Sequence, residues 1–204
     1  MSDDRTLIHV LEAALMAAAE PLSEDRLLGL FEGEDQPDKR MIRQALEDLT
    51  GRYADSALEL VRVASGFRFQ IRNDYAPWVA RLEAERPARY SRALLETLAL
   101  IAYRQPVTRG EIEHVRGVSV STHIIRTLLD RGWVRVVGHR EVPGRPALYG
   151  TTPAFLDYFN LRSLTELPAL AEFRDPDSLN VTLALASDPE SSQAEVSAEH
   201  DTHE

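Results

Sequence analysis

One order of structural signals occurs twice in this sequence, and it restricts the fold more than any composition figure does. In the first half, TLIHVLEAALMAAA (6–19) sets Ile8, Leu11, Leu15 and Ala18 on one stripe at helical spacing. Pro21 stops that helix, and Ser23 is placed to cap a short helix over 24–30. A third helix over 39–50 has Met41, Ile42, Ala45, Leu46 and Leu49 on one face, with Gly51 just past its end. The β-rich runs ALELVRVA and FRFQIR then flank Ser65-Gly66, which predicts a hairpin, and a short helix follows over 77–85. The second half repeats this order. A helix over 90–102 carries Leu94, Leu95, Leu98, Ile101 and Ala102, and breaks at Gln105-Pro106, because a residue before proline is pushed out of the α region. Thr108-x-x-Glu111 is a capping box that opens the next helix, and Gly117 closes it. Ser119 is placed to cap a third helix with Val120, Ile124, Ile125, Leu128 and Leu129 inward and Gly132 at its end. Strands WVRVV and ALYGTT enclose the loop GHREVPGRP, and a last short helix covers 153–159.

Three helices followed by a hairpin is the winged-helix pattern, a variant of the helix-turn-helix. The expected class is therefore mainly α with small β-hairpins (α+β), as two tandem winged-helix domains over 1–85 and 86–170. Beyond Leu170 no basic residue follows Arg174, and Ser, Asp, Glu and Ala dominate. That composition predicts a disordered acidic tail over 171–204, interrupted by the apolar stretch LNVTLALA, whose period fits neither helix nor strand in particular.

Charge divides the chain in the same places. The net charge is −10, but residues 86–150 carry +6, against −7 before them and −9 after. An acidic total argues against a general nucleic-acid binder, whereas the basic block requires its own explanation. There are no cysteines, which removes disulfides and thiolate metal sites. No apolar run is long enough to span a membrane, and the opening MSDD is not followed by a signal-peptide pattern, so a cytoplasmic protein is expected.

The centre of the basic block is YRQPVTRGEIEHVRG (103–117). Caps and turns explain Pro106, Thr108, Glu111, Gly117 and, further on, Gly132, but they leave the arginines unexplained. One use is DNA recognition: the third helix would present Ser121, Thr122, His123, Arg126 and Asp130 to a groove, while Arg104, Arg109, Arg116, Arg140 and Arg145 reach phosphates. A second use is protein docking. The loop from Arg140 to Pro146 is stiffened by Pro143 and Pro146 and carries Val142, and an arginine-rich surface with scattered apolar residues suits an acidic amphipathic partner. A metal or catalytic site has less support. His114, His123 and His139 match no metal spacing, and Glu111 and Glu113, two residues apart, point to different helix faces. We expect no cofactor, no metal and no catalytic residues. The first helix also has a second stripe of small residues, Val10, Ala14 and Ala17 with Ala13, suited to a homodimer contact through the N-terminal domain.

The residues also carry a family resemblance. The segments IAYRQPVTRGEIEHVRGV, RTLLDRGWV, the GRP of the wing and LYGTTPAFLDYF resemble the second half of segregation and condensation protein B (ScpB), closely over about 90–168. Residues 6–85 resemble it in element order and in LEAALMAAAEPLS. The resemblance implies a non-enzymatic, homodimeric subunit of the bacterial SMC condensin complex. Such a subunit binds the kleisin ScpA, reaches the SMC ATPase heads through it, and meets chromosomal DNA only within the assembly, nucleoid-associated in the cytoplasm. Carried over residue by residue, the family motif covers Tyr103, Arg104, Gln105, Pro106, Thr108, Glu111, Ile112, Arg116, Gly117, Gly144, Arg145 and Pro146. Tyr103, Arg104, Gln105, Arg109, Arg116, Arg126, Arg140 and Arg145 become the candidate kleisin-facing residues. The run SVSTHIIRTLLDRG departs from the family pattern in its histidine and tandem isoleucines. The alternative reading is a DNA-binding winged-helix transcriptional regulator.

Overall fold

A computed structural model describes residues 4–32, 36–82 and 90–168. The expected acidic tail and the 85/86 boundary fall outside these residues. In the first half, α1 (Asp4–Ala17), α2 (Glu24–Leu28) and α3 (Lys39–Arg52) precede an antiparallel hairpin of β1 (Leu58–Val63) and β2 (Gly66–Ile71) and a four-residue helix α4 (Ala76–Val79). The expected Ser23 cap forms, its Oγ accepting from Arg26 N–H at 3.2 Å, and Asp38, not singled out in the sequence, caps α3, its Oδ1 accepting from Met41 N–H at 2.7 Å. Leu7, Ile8, Leu11 and Leu15 of α1 meet Leu27, Ile42, Leu46, Leu49 and Leu60 in one core. Leu11, Leu27, Ile42 and Leu49 are fully buried, each contributing about 1.5–3 kcal/mol.

Two local expectations change in this half. Gly51 lies inside α3, not after it. The helix continues through Arg52 because Tyr53 anchors its end, donating its hydroxyl to Glu12 of α1 at 2.5 Å and placing its ring 4.7 Å from that of Phe69. Tyr53's phenol is held above its ordinary pKa, first by that hydrogen bond to the Glu12 carboxylate and then by burial. The hairpin turn is Ala64-Ser65, and Gly66 is the first residue of β2, paired with Val63. Leu22 and Phe67 form an isolated antiparallel bridge that brings the Leu22 backbone against Gly66 at φ 146°. A Cβ there would lie 2.2 Å from the Leu22 carbonyl oxygen, so the position is open to glycine alone.

The second half contains α5 (Arg92–Arg104), β3 (Val107–Thr108), α6 (Arg109–Arg116), α7 (Thr122–Asp130), β4 (Val134–His139), β5 (Ala147–Thr151) and α8 (Pro153–Tyr158). Three antiparallel strands run in the order β3-β5-β4, with an irregularity in the pairing between Val136 and Gly138. The short strand β3 was not expected; two residues after a cis Gln105-Pro106 bond are too few to show a period. The Thr108–Glu111 capping box is present, and Gly117 ends α6 in the left-handed region at φ 71°. Ser121, not Ser119, caps α7. Val120 is fully buried in extended chain and its N–H donates to Glu113 Oε1 at 2.9 Å, which delays the helix by two residues. A second core holds Leu94, Leu98, Ile101, Ile112, Val120, Leu128 and Phe155 around Trp133, whose ring lies 5.2 Å from Tyr90 and 4.5 Å from Tyr158. Arg131 stacks over both Tyr90 and Trp133.

The two cores are joined where the first hairpin meets the end of α8. Ala64 N–H donates to Leu161 O at 3.0 Å, and Ser65 N–H donates to Asp157 Oδ1 at 2.9 Å. Arg68 donates to Asp157 O at 2.9 Å and to Asn160 Oδ1 at 2.7 Å. Burial pushes the Arg68 pKa down, and the Asp157 carboxylate opposes that shift. No helix among the described residues is long and apolar enough to cross a membrane.

Candidate partner-docking groove

The basic block forms the start of the second half, and the structure divides its candidate residues by what they touch. Gln105 is internal. Its amide nitrogen donates to Ala102 O at 3.1 Å and Thr151 Oγ1 at 2.9 Å, while its oxygen accepts from Thr151 N–H at 2.7 Å, tying α5 to β5. Arg116 is also structural: its side chain is only 10% exposed and donates to Glu96 at 3.0 Å and Thr97 Oγ1 at 3.4 Å. Arg92 and then Arg116 hold the Glu96 carboxyl below its ordinary range. Arg109 spans the turn between α6 and α7, bonding Glu113 at 3.0 Å and Thr122 Oγ1 at 3.2 Å. Glu113 is held low first by the Val120 N–H and then by Arg109. Tyr103 donates its hydroxyl to Pro168 O at 2.5 Å and so fixes the last described residue on α5.

The remaining candidates face outward. Arg126 stands on the exposed side of α7, 3.7 Å from Asp130 on the same face. Arg145 is at the tip of the 140–146 loop, at φ 37°, with Glu141 3.3 Å away. Both are exposed ion pairs, worth about 0–1 kcal/mol, so they confer little stability. Arg140 bonds Glu111 at 2.6 Å. Glu111 is held low chiefly by the Thr108 backbone N–H at 2.8 Å, then by the Thr108 hydroxyl, with Arg140's charge contributing least. Arg104 is exposed at the end of α5.

Arg104 and Arg140 converge on an open groove of about 440 Å³ between the end of α5 and α6. Its apolar lining is Leu100, Pro106, Val107, Ile112 and Val115, and its polar lining adds Glu111 and His114. Val115, in the last turn of α6, is an exposed apolar residue beside the groove. A Cβ on Gly110, which also lines the groove, would meet no atom within 4 Å, so space opens there. Sequence reasoning found the two arginines but missed Leu100, Gly110 and Val115. The readable signal was Val115, an apolar residue not needed by the inward stripe of α6.

The groove has the chemistry of a docking surface: apolar side chains for contact area, with guanidinium groups that select an acidic partner. The outward face of α7, by contrast, carries a single arginine whose charge Asp130 offsets. No group of three or more metal-ligating side chains occurs among the described residues. On the homodimer candidates, Val10 and Ala14 are half-buried and Ala17 is exposed, with Ala14 leaning on the chain's own first core.

Comparison with known proteins identifies the family. The family profile described as "Segregation and condensation complex subunit ScpB" matches residues 9–170. The "Segregation and condensation protein B homolog" of Coxiella burnetii is 56% identical over 170 residues, covering 83% of this chain and 81% of that one. The "Segregation and condensation protein B" of Syntrophotalea carbinolica is 43% identical over 175 residues, covering 85% and 86%. The crystal structure of ScpB from Mycobacterium tuberculosis shares 35% identity over 78% of this chain and 98% of that one, with a TM-score of 0.36.

Proposed function

Because the chain belongs to the segregation and condensation protein B family, with a role in the segregation and condensation complex, we propose that it acts there as a non-enzymatic docking subunit. On this reading the chain is two tandem winged-helix domains, 1–85 and 86–170. The first forms a homodimer through Val10, Ala14 and Ala17 of α1. The second receives the kleisin ScpA in the groove beside Arg104 and Arg140. Through the kleisin the dimer meets the SMC ATPase heads, and chromosomal DNA only within the assembled complex, in the cytoplasm at the nucleoid. The result is support for chromosome condensation and segregation.

One observation carries the docking part of this reading. The exposed Pro106 and Val115 and the Arg104 guanidinium, to which no ion pair occurs among the described residues, coincide in the α5–α6 groove, whereas the α7 face that a DNA-reading helix would use has its arginine paired with Asp130. A kleisin segment with apolar anchors and carboxylates fits the former. DNA would require net positive charge on the latter.

The test is co-expression with the kleisin of the same genome, followed by size-exclusion chromatography with light scattering. The wild-type chain is expected to elute as a complex. Gly110→Trp sends a bulky side chain into the groove from a position where an added Cβ meets no atom within 4 Å, and should abolish the complex while leaving the circular dichroism spectrum and melting temperature unchanged. Complex formation by Gly110→Trp at wild-type affinity would move the docking site elsewhere. Tight duplex binding with a steep salt dependence by the isolated chain would favour the transcriptional-regulator alternative instead.

A further inference from the structure

We propose that the groove between α5 and α6 is a docking site for the chain's own C-terminal segment, with residues 179–186 lying in the groove and the carboxylates on either side of them facing Arg104 and Arg140. This inference rests on the groove and the sequence alone, and does not depend on the kleisin reading.

Three observations support it. The first is where the described chain ends. Pro168 is held by the Tyr103 hydroxyl, and Tyr103 directly precedes Arg104, a groove residue. The described residues therefore end beside the groove. The second is length. Residues 169–204 continue from that point, and Leu179 is eleven residues beyond Pro168. A random-coil linker of that length would have a root-mean-square reach of roughly 18 Å, enough to return to a site next to its anchor. Tethering at this range gives a local concentration on the order of millimolar, so even a weak contact is populated.

The third observation is complementarity. Residues 169–204 hold nine carboxylates and one arginine, Arg174. Within them, Leu179, Val181, Leu183 and Leu185 form an apolar stretch with Asp175 and Asp177 before it and Asp188 and Glu190 after it. The groove offers the matching set: the half-buried Leu100 and the exposed Pro106 and Val115 for the apolar stretch, Arg104 and Arg140 for the carboxylates. Arg140 already holds Glu111, whereas no ion pair to Arg104 occurs among the described residues. Arg104 is therefore the cation most open to a carboxylate from the segment. A segment seated there makes the groove self-occupied, and any outside partner must displace it.

The absence of cysteine makes the test direct. Ser187→Cys takes a single nitroxide label in the full chain, and amide intensities are compared before and after reduction of the label. The proposal expects at least a two-fold loss of intensity at Leu100, Arg104, Gly110 and Val115, with Leu27 and Ile42 of the first core unaffected. Leu183→Asp in the segment should restore those intensities without touching either core, and Arg104→Glu should do the same from the groove side. Mixing unlabelled-spin, isotope-enriched chain with spin-labelled, unenriched chain should give no loss. Loss centred instead on the exposed Trp78 and Leu82, loss spread evenly over the surface, or loss in the mixed sample, which would make a second copy the occupant, each overturns the proposal.

Discussion

Gly66→Ala tests the packing of the first hairpin more sharply than any core truncation. An alanine Cβ at this position would lie 2.2 Å from the Leu22 carbonyl oxygen and 2.6 Å from Ser23 N. Both are backbone atoms, so no side chain can swing aside. Relief requires the Leu22 segment to retreat, which breaks two reciprocal bonds, Leu22 N–H to Phe67 O and Phe67 N–H to Leu22 O, both 2.9 Å. Their loss costs about 1 kcal/mol each. Holding a non-glycine residue at φ 146° adds about 1–3 kcal/mol. The sum is about 3–5 kcal/mol. For a unit of this size each kcal/mol lowers the melting temperature by about 4–8 °C, so the first core should melt roughly 12–40 °C earlier. Gly117→Ala is the control. Its φ is 71°, also left-handed, but nothing lies within 4 Å of an added Cβ. It should cost only about 1 kcal/mol, from conformation alone. Both variants are read by calorimetry and far-ultraviolet circular dichroism. Equal costs for the two glycines, within about 1 kcal/mol, would refute the argument that contact with Leu22 selects glycine at position 66.

Other expectations follow from the joint, the carboxylates and α1. Arg68→Ala removes the donors to Asp157 O and Asn160 Oδ1, bonds to a charged group worth about 2 kcal/mol together after the arginine's own desolvation. Small-angle scattering should show a larger radius of gyration with both cores still folded; an unchanged curve would mean the backbone bonds of Ala64 and Ser65 suffice. Glu96, Glu111 and Glu113 all have depressed pKa values when folded, so the unfolded chain binds more protons near the ordinary glutamate range. Their stabilisation is present above that range and is lost as pH falls through the folded values. Melting of the second core should therefore be flat near neutral pH and drop below about pH 4, and Glu111→Gln should remove part of that acid dependence. Val10→Glu puts a carboxylate on the proposed dimer face of α1, and sedimentation at tens of micromolar should show monomers; an unchanged dimer would place that contact on another surface.

What the sequence could show depended on whether a signal was local. The Thr108–Glu111 box, the Ser23 start and the Gly117 stop are decided within four residues and were readable; the Asp38 cap is equally local but was not picked out. The inward stripe of α1 was readable too, although Leu7, which is buried, was missed because it lies beside the counted positions. Features fixed by distant chain were not readable. Gly66 looks like a turn glycine until Leu22 is seen against it, and Ser119 looks like a cap until Val120 is seen held by Glu113. At the groove, Arg104 and Arg140 were legible as charge, but their convergence depends on Arg140 returning from β4 to meet Glu111, a contact across 29 residues of chain. Gln105 and Arg116 were misplaced among surface candidates for the converse reason: nothing local announces that Thr151 and Glu96 are waiting for them.

The joint between the first hairpin and α8 makes the two halves unequal in what they can do, despite their shared element order. The turn of the first hairpin has committed its Ala64 and Ser65 N–H groups to Leu161 and Asp157, and the neighbouring Arg68 is spent on the same helix end. The corresponding loop of the second half, residues 140–146, is tied to the body at its base by Arg140 and Glu111 but is exposed from Glu141 to Arg145. Among the described residues one hairpin thus serves as an internal splint and the other as an outward-reaching arm. Because one of the splint's four bonds runs from backbone to backbone and a second starts from a backbone N–H, half of it can survive drift in side-chain identity at positions 64 and 65, while the outward loop is free to diversify without loosening the body that carries it.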